Sequence, residues 1–136
     1  MTSVLIVEDE LIVALMVEDS LQAAGYQVCG IAASEAEALA LAEAHRPDMA
    51  VVDIRLNPGD GLEVARELRT RYGAQILFAS GHATELPLGQ DGQADLVLAK
   101  PYLPDDVPRA LDALQALARG EPAPEPLPIS LLSARS

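Results

Sequence analysis

The feature that most constrains the fold is an alternation of strand-like and helix-like segments, repeated five times along the chain. Short continuous apolar runs, such as residues 4–7, are typical of parallel strands that are buried on both faces. Apolar residues spaced three and four apart follow them, as in amphipathic helices. Because parallel strands are joined by right-handed helical crossovers, the pattern predicts an α/β fold, a doubly wound five-stranded parallel sheet with helices on both faces.

The local sequence also predicts the elements and the residues that they bury. Strands are expected at residues 4–7, 27–31, 49–54, 75–80 and 95–100. The buried stripes are predicted to be Val13, Met16, Val17, Leu21 and Ala24 in the first helix and Ala36, Leu39 and Ala40 in the second. Between strands four and five, Pro87, Gly89 and Gly92 oppose a regular helix, so any helix within residues 84–93 is expected to be short or irregular.

The composition changes after Gly120. Residues 121–128 alternate proline with other residues, which is typical of an extended polyproline-like segment. We therefore predict one domain, residues 1–120, and a Pro-rich C-terminal tail, residues 121–136, that is flexible. Residues 127–132 are apolar enough to dock on a neighbouring surface, although an unpacked tail is the expectation. A tail of this length cannot bury a core, so no effector domain is expected after the first domain.

The charge of the chain excludes several classes of protein. There are 9 Lys and Arg against 21 Asp and Glu, a formal net charge of −12. This field repels a phosphate backbone, so direct nucleic-acid binding is not expected.

The N-terminus has no basic region and its apolar run stops at Glu8, which argues against a signal peptide and a membrane span. A cytoplasmic protein without membrane partners is expected.

Polar side chains lie at the ends of four predicted strands: Glu8 and Asp9 follow the first, Asp53 lies near the end of the third, and Ser80 and Lys100 end the fourth and fifth. Sheets of this kind bind ligands at the carboxyl ends of their strands. If strands one and three are neighbours, three carboxylates converge, and two such charges about 4 Å apart repel by about 4 kcal/mol at an effective dielectric of 20. The cluster therefore needs cations. Mg²⁺ suits a site with few carboxylates, and Lys100, the only lysine of the chain, supplies a further positive charge.

Five motifs, in this order and at these spacings, carry a resemblance to a known family. They are residues 4–10 (VLIVEDE), 51–54 (VVDI), 57–61 (NPGDG), 78–81 (FASG) and 100–101 (KP). Together they resemble the receiver domain of two-component response regulators over residues 1 to about 119. The fourth motif is similar to the Phe-Ala-Thr-Gly signature of a subgroup that is often single-domain. The resemblance implies a flavodoxin-like sheet of order 2-1-3-4-5.

The resemblance also implies a phosphoacceptor. Asp53 would take a phosphoryl group from a sensor histidine kinase or a histidine phosphotransfer protein. Mg²⁺ would be bound by Asp9, by Asp53 and by the backbone carbonyl of Arg55, with Glu8 acting through water. The nucleophile is then a carboxylate, and charge neutralisation is the main catalytic requirement.

The remaining site residues are assigned by the same resemblance. Lys100 would pair with the phosphoryl oxygens, and the hydroxyl of Ser80 would hydrogen-bond to them. The bond between Lys100 and Pro101 is usually cis in the family. Arg55 and His82 occupy positions that tune the hydrolysis of the acyl phosphate, although a solvated loop histidine is an equal alternative for His82.

One position departs from the family pattern. Most receivers carry Tyr or Phe three residues before the lysine, where this chain has Val97. The aromatic side chain that turns inward on phosphorylation is therefore missing. Tyr102 is a conceivable substitute, with a simple packing role as the preferred alternative.

The sequence thus predicts a single-domain response regulator that signals by phosphorylation-dependent contact with an unknown target, or that acts as a phosphate relay or sink. It would catalyse only its own phosphorylation and dephosphorylation. The oligomeric state is open, and a homodimer is one alternative. A receiver-like module that binds partners without phosphate is another. An aspartyl-phosphate hydrolase is disfavoured because Arg55 stands where that family has a second Asp, and a dinucleotide-binding fold lacks its Gly-rich turn.

Overall fold

The computed structural model describes residues 2–56, 59–80, 96–122 and 131–133, with only the backbone described for Ser80 and for residues 131–133. The strands are β1 (Ser3–Val7), β2 (Gln27–Ala32), β3 (Met49–Asp53), β4 (Gln75–Ser80), β5 (Leu96–Ala99) and β6 (Leu131–Ser133). The helices are α1 (Leu11–Ala23), α2 (Glu35–His45), α3 (Gly61–Tyr72) and α4 (Asp106–Ala118). The predicted alternation is confirmed. The segment at residues 84–93 lies outside the described residues.

The strands form one sheet in the order β2-β1-β3-β4-β5-β6. The first five strands are parallel, so the predicted five-stranded sheet of order 2-1-3-4-5 is confirmed. The sixth strand was not predicted. It lies in the segment expected to be a flexible tail and pairs antiparallel with β5. The backbone of an otherwise unpaired edge strand offers hydrogen bonds to any segment that reaches it, which is a signal that the side-chain pattern does not carry.

Two apolar clusters cover the two faces of the sheet. Val4 and Ile6 of β1 belong to the cluster under α1 and α4. Leu5 and Val7 belong to the cluster under α2 and α3. The alternation follows from the two-residue period of a strand, and burial on both faces explains why β1 is apolar throughout. Within the described part of the chain, no helix has the length and apolar character needed to cross a membrane.

The rotation of two helices differs from the prediction. In α1 the buried residues are Ala14, Val17 and Leu21, whereas the predicted core residue Met16 is 49% exposed. In α2 the buried residues are Ala38 and Ala42, whereas Ala36 and Ala40, both predicted to be buried, are exposed. Both helices carry apolar residues on more than one face, so their periodicity does not determine which face packs on the sheet.

Candidate functional site

The site lies at the carboxyl ends of four adjacent strands. Glu8 and Asp9 follow β1 directly, Asp53 is the last residue of β3, and Lys100 follows β5. The strand register brings these ends to one edge, because Val7 pairs with Val52 and Asp53 pairs with Ala79. The crossovers of a parallel sheet place all its strand ends of one kind on the same side. The sheet order therefore assembles residues that lie far apart in the sequence.

Three carboxylates converge at this edge. One oxygen from each of Glu8, Asp9 and Asp53 lies within 4.8 Å of the others. Glu8 and Asp53 are buried, at 5% and 6% exposure, and Asp9 is half-buried. Closely spaced hard oxygen donors with surplus negative charge are the ligands that Mg²⁺ prefers. The donor set therefore fits a divalent cation of this kind.

Lys100 provides the positive charge next to the carboxylates. Its Nζ lies 3.2 Å from Oδ2 of Asp53 and 3.6 Å from Oε1 of Glu8. Burial of the ammonium lowers the pKa of Lys100, but the charges of Asp53 and Glu8 more than offset this effect and leave that pKa raised above its ordinary value. Lys100 is therefore a fixed cation that points at the predicted phosphoacceptor. The following peptide bond, to Pro101, is cis.

Backbone groups orient the two buried carboxylates. The N–H of Arg55 donates to Oδ1 of Asp53 at 3.1 Å, and the N–H of Glu10 donates to Oε2 of Glu8 at 3.2 Å. Each acceptor is thus held by the residue two positions further on, as in an Asx-type turn. The other oxygen of Asp53 faces Lys100. These contacts fix the carboxylates before any ligand binds.

The burial of Glu8 changes its protonation. Burial raises the pKa of Glu8 to about 7, and the neighbouring charge of Asp53 acts in the same direction. The backbone hydrogen bond from Glu10 and the charge of Lys100 oppose the shift in part. Without a bound cation, Glu8 therefore takes up a proton near neutral pH, because a buried carboxylate is costly in its ionised form.

The other predicted site residues are placed as follows. Ser80 ends β4, where its backbone pairs with Ala99 of β5, so this residue belongs to the same edge of the sheet. Arg55 is exposed beside Asp53. His82 and residues 57–58 of the turn motif lie outside the described residues.

Val97 stands at the position of the missing aromatic residue, and Tyr102 is the conceivable substitute. Val97 is buried in the α2 and α3 cluster and pairs with Phe78 of β4. Tyr102 packs against the other cluster, under α1 and α4. Burial, together with the charge of Glu8, raises the pKa of Tyr102 to about 12, so its hydroxyl stays protonated. The ring of Tyr102 therefore packs on the face of the sheet opposite to Val97.

Sequence reasoning missed an apolar groove beside the site. It has a volume of about 400 Å³ and runs between α1 and the segment after β5, from Met16 to Lys100 and Tyr102. Met16, which lines the groove, is 49% exposed, and Leu11, Ile12 and Leu15 of the same helix are also exposed, Ile12 by 75%. The signal was present in the sequence, because residues 11–17 are apolar on every side of the helix and only one side can face the sheet.

Comparison with known proteins agrees with this geometry. Residues 4–120 match the response regulator receiver domain. The transcriptional regulatory protein PdtaR of Mycobacterium tuberculosis is 30% identical over 111 residues, covering 80% of this chain and 54% of PdtaR. The phyllosphere-induced regulator PhyR of Methylorubrum extorquens is 30% identical over 108 residues, covering 78% of this chain and 40% of PhyR. The chain thus spans about half the length of these curated relatives.

A solved structure gives the same result for the fold. The chemotaxis response regulator CheY4 of Vibrio cholerae is 29% identical and matches with a TM-score of 0.71, covering 84% of this chain and 98% of CheY4. The fold, the acidic edge of the sheet and the matched residues agree, and the chain belongs to the response regulator receiver domain family.

Proposed function

We propose that this chain is a phosphoacceptor signalling domain in which Asp53 takes a phosphoryl group from a phosphohistidine of a sensor kinase or a histidine phosphotransfer protein. The observation that carries the proposal is the 3.2 Å contact between Nζ of Lys100 and Oδ2 of Asp53, inside a cluster of carboxylates. Phosphoryl transfer depends mainly on positioning and on neutralising the charge of the phosphoryl oxygens. A fixed ammonium beside the proposed nucleophile supports both.

In the proposed reaction, a carboxylate oxygen of Asp53 forms a bond to phosphorus while the bond from phosphorus to the imidazole nitrogen breaks. The nitrogen keeps the bonding pair and takes a proton, and Asp53 becomes an acyl phosphate. Lys100 then holds the phosphoryl oxygens, and the hydroxyl of Ser80 is the proposed second donor. Glu8, Asp9, Asp53 and the carbonyl of Arg55 are the proposed Mg²⁺ ligands, with Glu8 acting through water. Bound Mg²⁺ would neutralise charge on the phosphoryl oxygens.

The groove beside the site supports a protein as the donor. It ends at Lys100, and its α1 side is formed by Val13, Met16 and Val17, of which Met16 is 49% exposed. Leu103, between the groove residues Tyr102 and Pro104, is 69% exposed. Contiguous exposed apolar side chains mark interaction surfaces. A helical donor seated here would bring its phosphohistidine to the strand ends.

The proposed output is contact with another protein. A phosphoryl group adds about −1.5 to −2 charges and can shift the balance between two packings of one fold. The chain would catalyse only its own phosphorylation and dephosphorylation. Because the proposed kinase takes its phosphate from ATP, the chain would meet that kinase in the cytoplasm. A switch requires a persistent acyl phosphate, whereas a relay or sink requires rapid turnover. The lifetime of the phosphorylated form separates these versions.

The first test is the intact mass of the chain after incubation with Mg²⁺ and acetyl phosphate. We expect the wild type to gain one phosphoryl group that alkaline hydroxylamine removes, as it does from acyl phosphates. Asp53→Asn is expected to gain none, because an amide is not a nucleophile of this kind. Asp19→Asn, at an exposed position on α1, is the matched control and should behave as the wild type does.

A phosphoryl group that persists in Asp53→Asn would place the acceptor elsewhere and contradict the assignment. No adduct on the wild type, together with no binding of beryllofluoride, would favour the alternative of a binding module that does not use phosphate.

A second prediction concerns the groove. Met16→Asp is expected to slow transfer from phosphorylated histidine kinase domains by about tenfold or more, because a charge would replace an exposed apolar side chain that lines the groove. Phosphorylation by acetyl phosphate, which needs no such interface, should not change. Ala40→Asp adds the same charge at an exposed position on α2 and serves as the control. Equal loss with both donors would show damage to the site instead of lost docking.

A further inference from the structure

The edge of the sheet beyond β5 is occupied by the chain's own C-terminal segment. β6 pairs antiparallel with β5 through Leu96 and Ser133, Val97 and Leu132, and Leu98 and Leu131. On its other side β5 pairs with β4. The backbone of β5 is therefore bonded on both sides, and its second partner lies in the segment that the sequence predicts to be a flexible tail.

The backbone of β5 offers hydrogen-bonding groups on that side. With β6 in place, Val97 and Leu98 are buried, at 1% and 0% exposure. Unpaired N–H and C=O groups along the edge of a sheet are a template on which a strand from another chain can pair. An extended segment that supplies backbone hydrogen bonds is the ligand that such an edge selects.

The present occupant is short within the part of the chain that the structure describes. There β6 has 3 residues, whereas strands in globular proteins usually have about 5–6. The connection at residues 123–130 contains three prolines, at 124, 126 and 128, none of which can donate a backbone hydrogen bond. A longer strand in the same register would make more backbone hydrogen bonds than β6 does, so β6 is a replaceable occupant.

We propose that the outer edge of β5, on the side away from β4, is a strand-pairing site for an extended apolar segment of a partner protein, and that residues 131–133 occupy it within the same chain. The partner segment would add to the sheet antiparallel to β5, as in β-strand addition. The tail would then act as an internal competitor, since a tethered segment has an effective concentration in the millimolar range. This inference does not depend on phosphorylation of Asp53.

The test uses the full chain with Leu131→Pro and Leu132→Pro together. Adjacent residues of a strand direct their N–H groups to opposite sides, so two consecutive prolines always remove one bond to β5. A control with Arg135→Pro and Ser136→Pro introduces the same two residues outside β6. The probe is a labelled synthetic peptide that copies residues 127–136.

We expect the β5 amides that face β6 to exchange with deuterium about tenfold faster or more in the Leu131 and Leu132 variant. The lost N–H donor weakens a three-residue strand enough for β6 to separate from β5, and the β5 amides then lose the β6 carbonyls as acceptors. The amides of β1 and β3 should be unchanged, which would show that the fold is intact. The peptide should bind this variant and restore protection, and it should bind the wild type and the control at least about tenfold more weakly because of the tethered competitor.

Unchanged exchange at β5 in that variant, or peptide binding that is equal in all chains, would overturn the proposal. A direct measurement on the wild type remains decisive if the variant unfolds. Cross-strand NOEs between residues 96–98 and 131–133 are expected in dilute solution. Their absence, or their appearance only in a dimer at high concentration, would overturn pairing within one chain, and the dimer would assign the edge to a second copy.

Discussion

Gly61→Ala is expected to destabilise the domain by about 3 kcal/mol or more and to disturb the phosphoacceptor. A Cβ at this position would collide with the carbonyl oxygen of Asp53 and would lie 2.7 Å from Cα of Ile54. Neither contact can be relieved by a rotating side chain, because both atoms belong to the backbone. The N–H of Gly61 also donates to the carbonyl of Ile54, so α3 begins in contact with the end of β3.

Thermal or denaturant unfolding of Gly61→Ala measures this effect, and the expected fall in melting temperature is on the order of 10 °C. Gly73→Ala is the matched control. Gly73 has a positive φ of 66° but nothing within 4 Å of an added Cβ, so only the conformational cost of about 1–2 kcal/mol is expected there. Phosphorylation by acetyl phosphate should be impaired in Gly61→Ala and normal in Gly73→Ala. Equal destabilisation by both changes would contradict the steric argument.

Removal of divalent cations is expected to make the stability fall as the pH rises from about 5 to about 8. Burial raises the pKa of Glu8 from its ordinary 4.5 to about 7. Between these values the folded chain binds more protons than the unfolded chain, so the free energy of unfolding decreases with rising pH. The loss attributable to Glu8 is at most about 3 kcal/mol, since one pKa unit corresponds to about 1.4 kcal/mol.

Denaturant unfolding in a chelating buffer across this pH range tests the prediction. Glu8→Gln should remove most of the fall, because the amide does not titrate, whereas Glu10→Gln, at an exposed neighbouring position, should retain it. Saturating Mg²⁺ should also suppress the fall, since a cation favours the ionised carboxylate. Parallel curves for the wild type and Glu8→Gln would show that another group is responsible.

The residues of the site were accessible from the sequence because each is a polar residue at the end of an apolar run. Asp53 after Val52 and Lys100 after Ala99 are local patterns, and local patterns can be recognised without knowledge of the fold. The distances between them were not accessible. That Nζ of Lys100 contacts both Asp53 and Glu8 depends on the order of β1, β3, β4 and β5.

Two features were decided only by the tertiary structure. The apolar face of α1 that bears Ile12 points outward because the sheet packs against Ala14 and Val17, a choice that the helical period of an all-apolar segment leaves open. The pairing of β6 with β5 arises from backbone groups that every residue carries. The sequence by itself determined the alternation of elements and the polar strand ends, because both follow from the types of side chain at positions close together in the sequence. Helix rotation and edge pairing required the assembled sheet, because both depend on which distant surfaces meet.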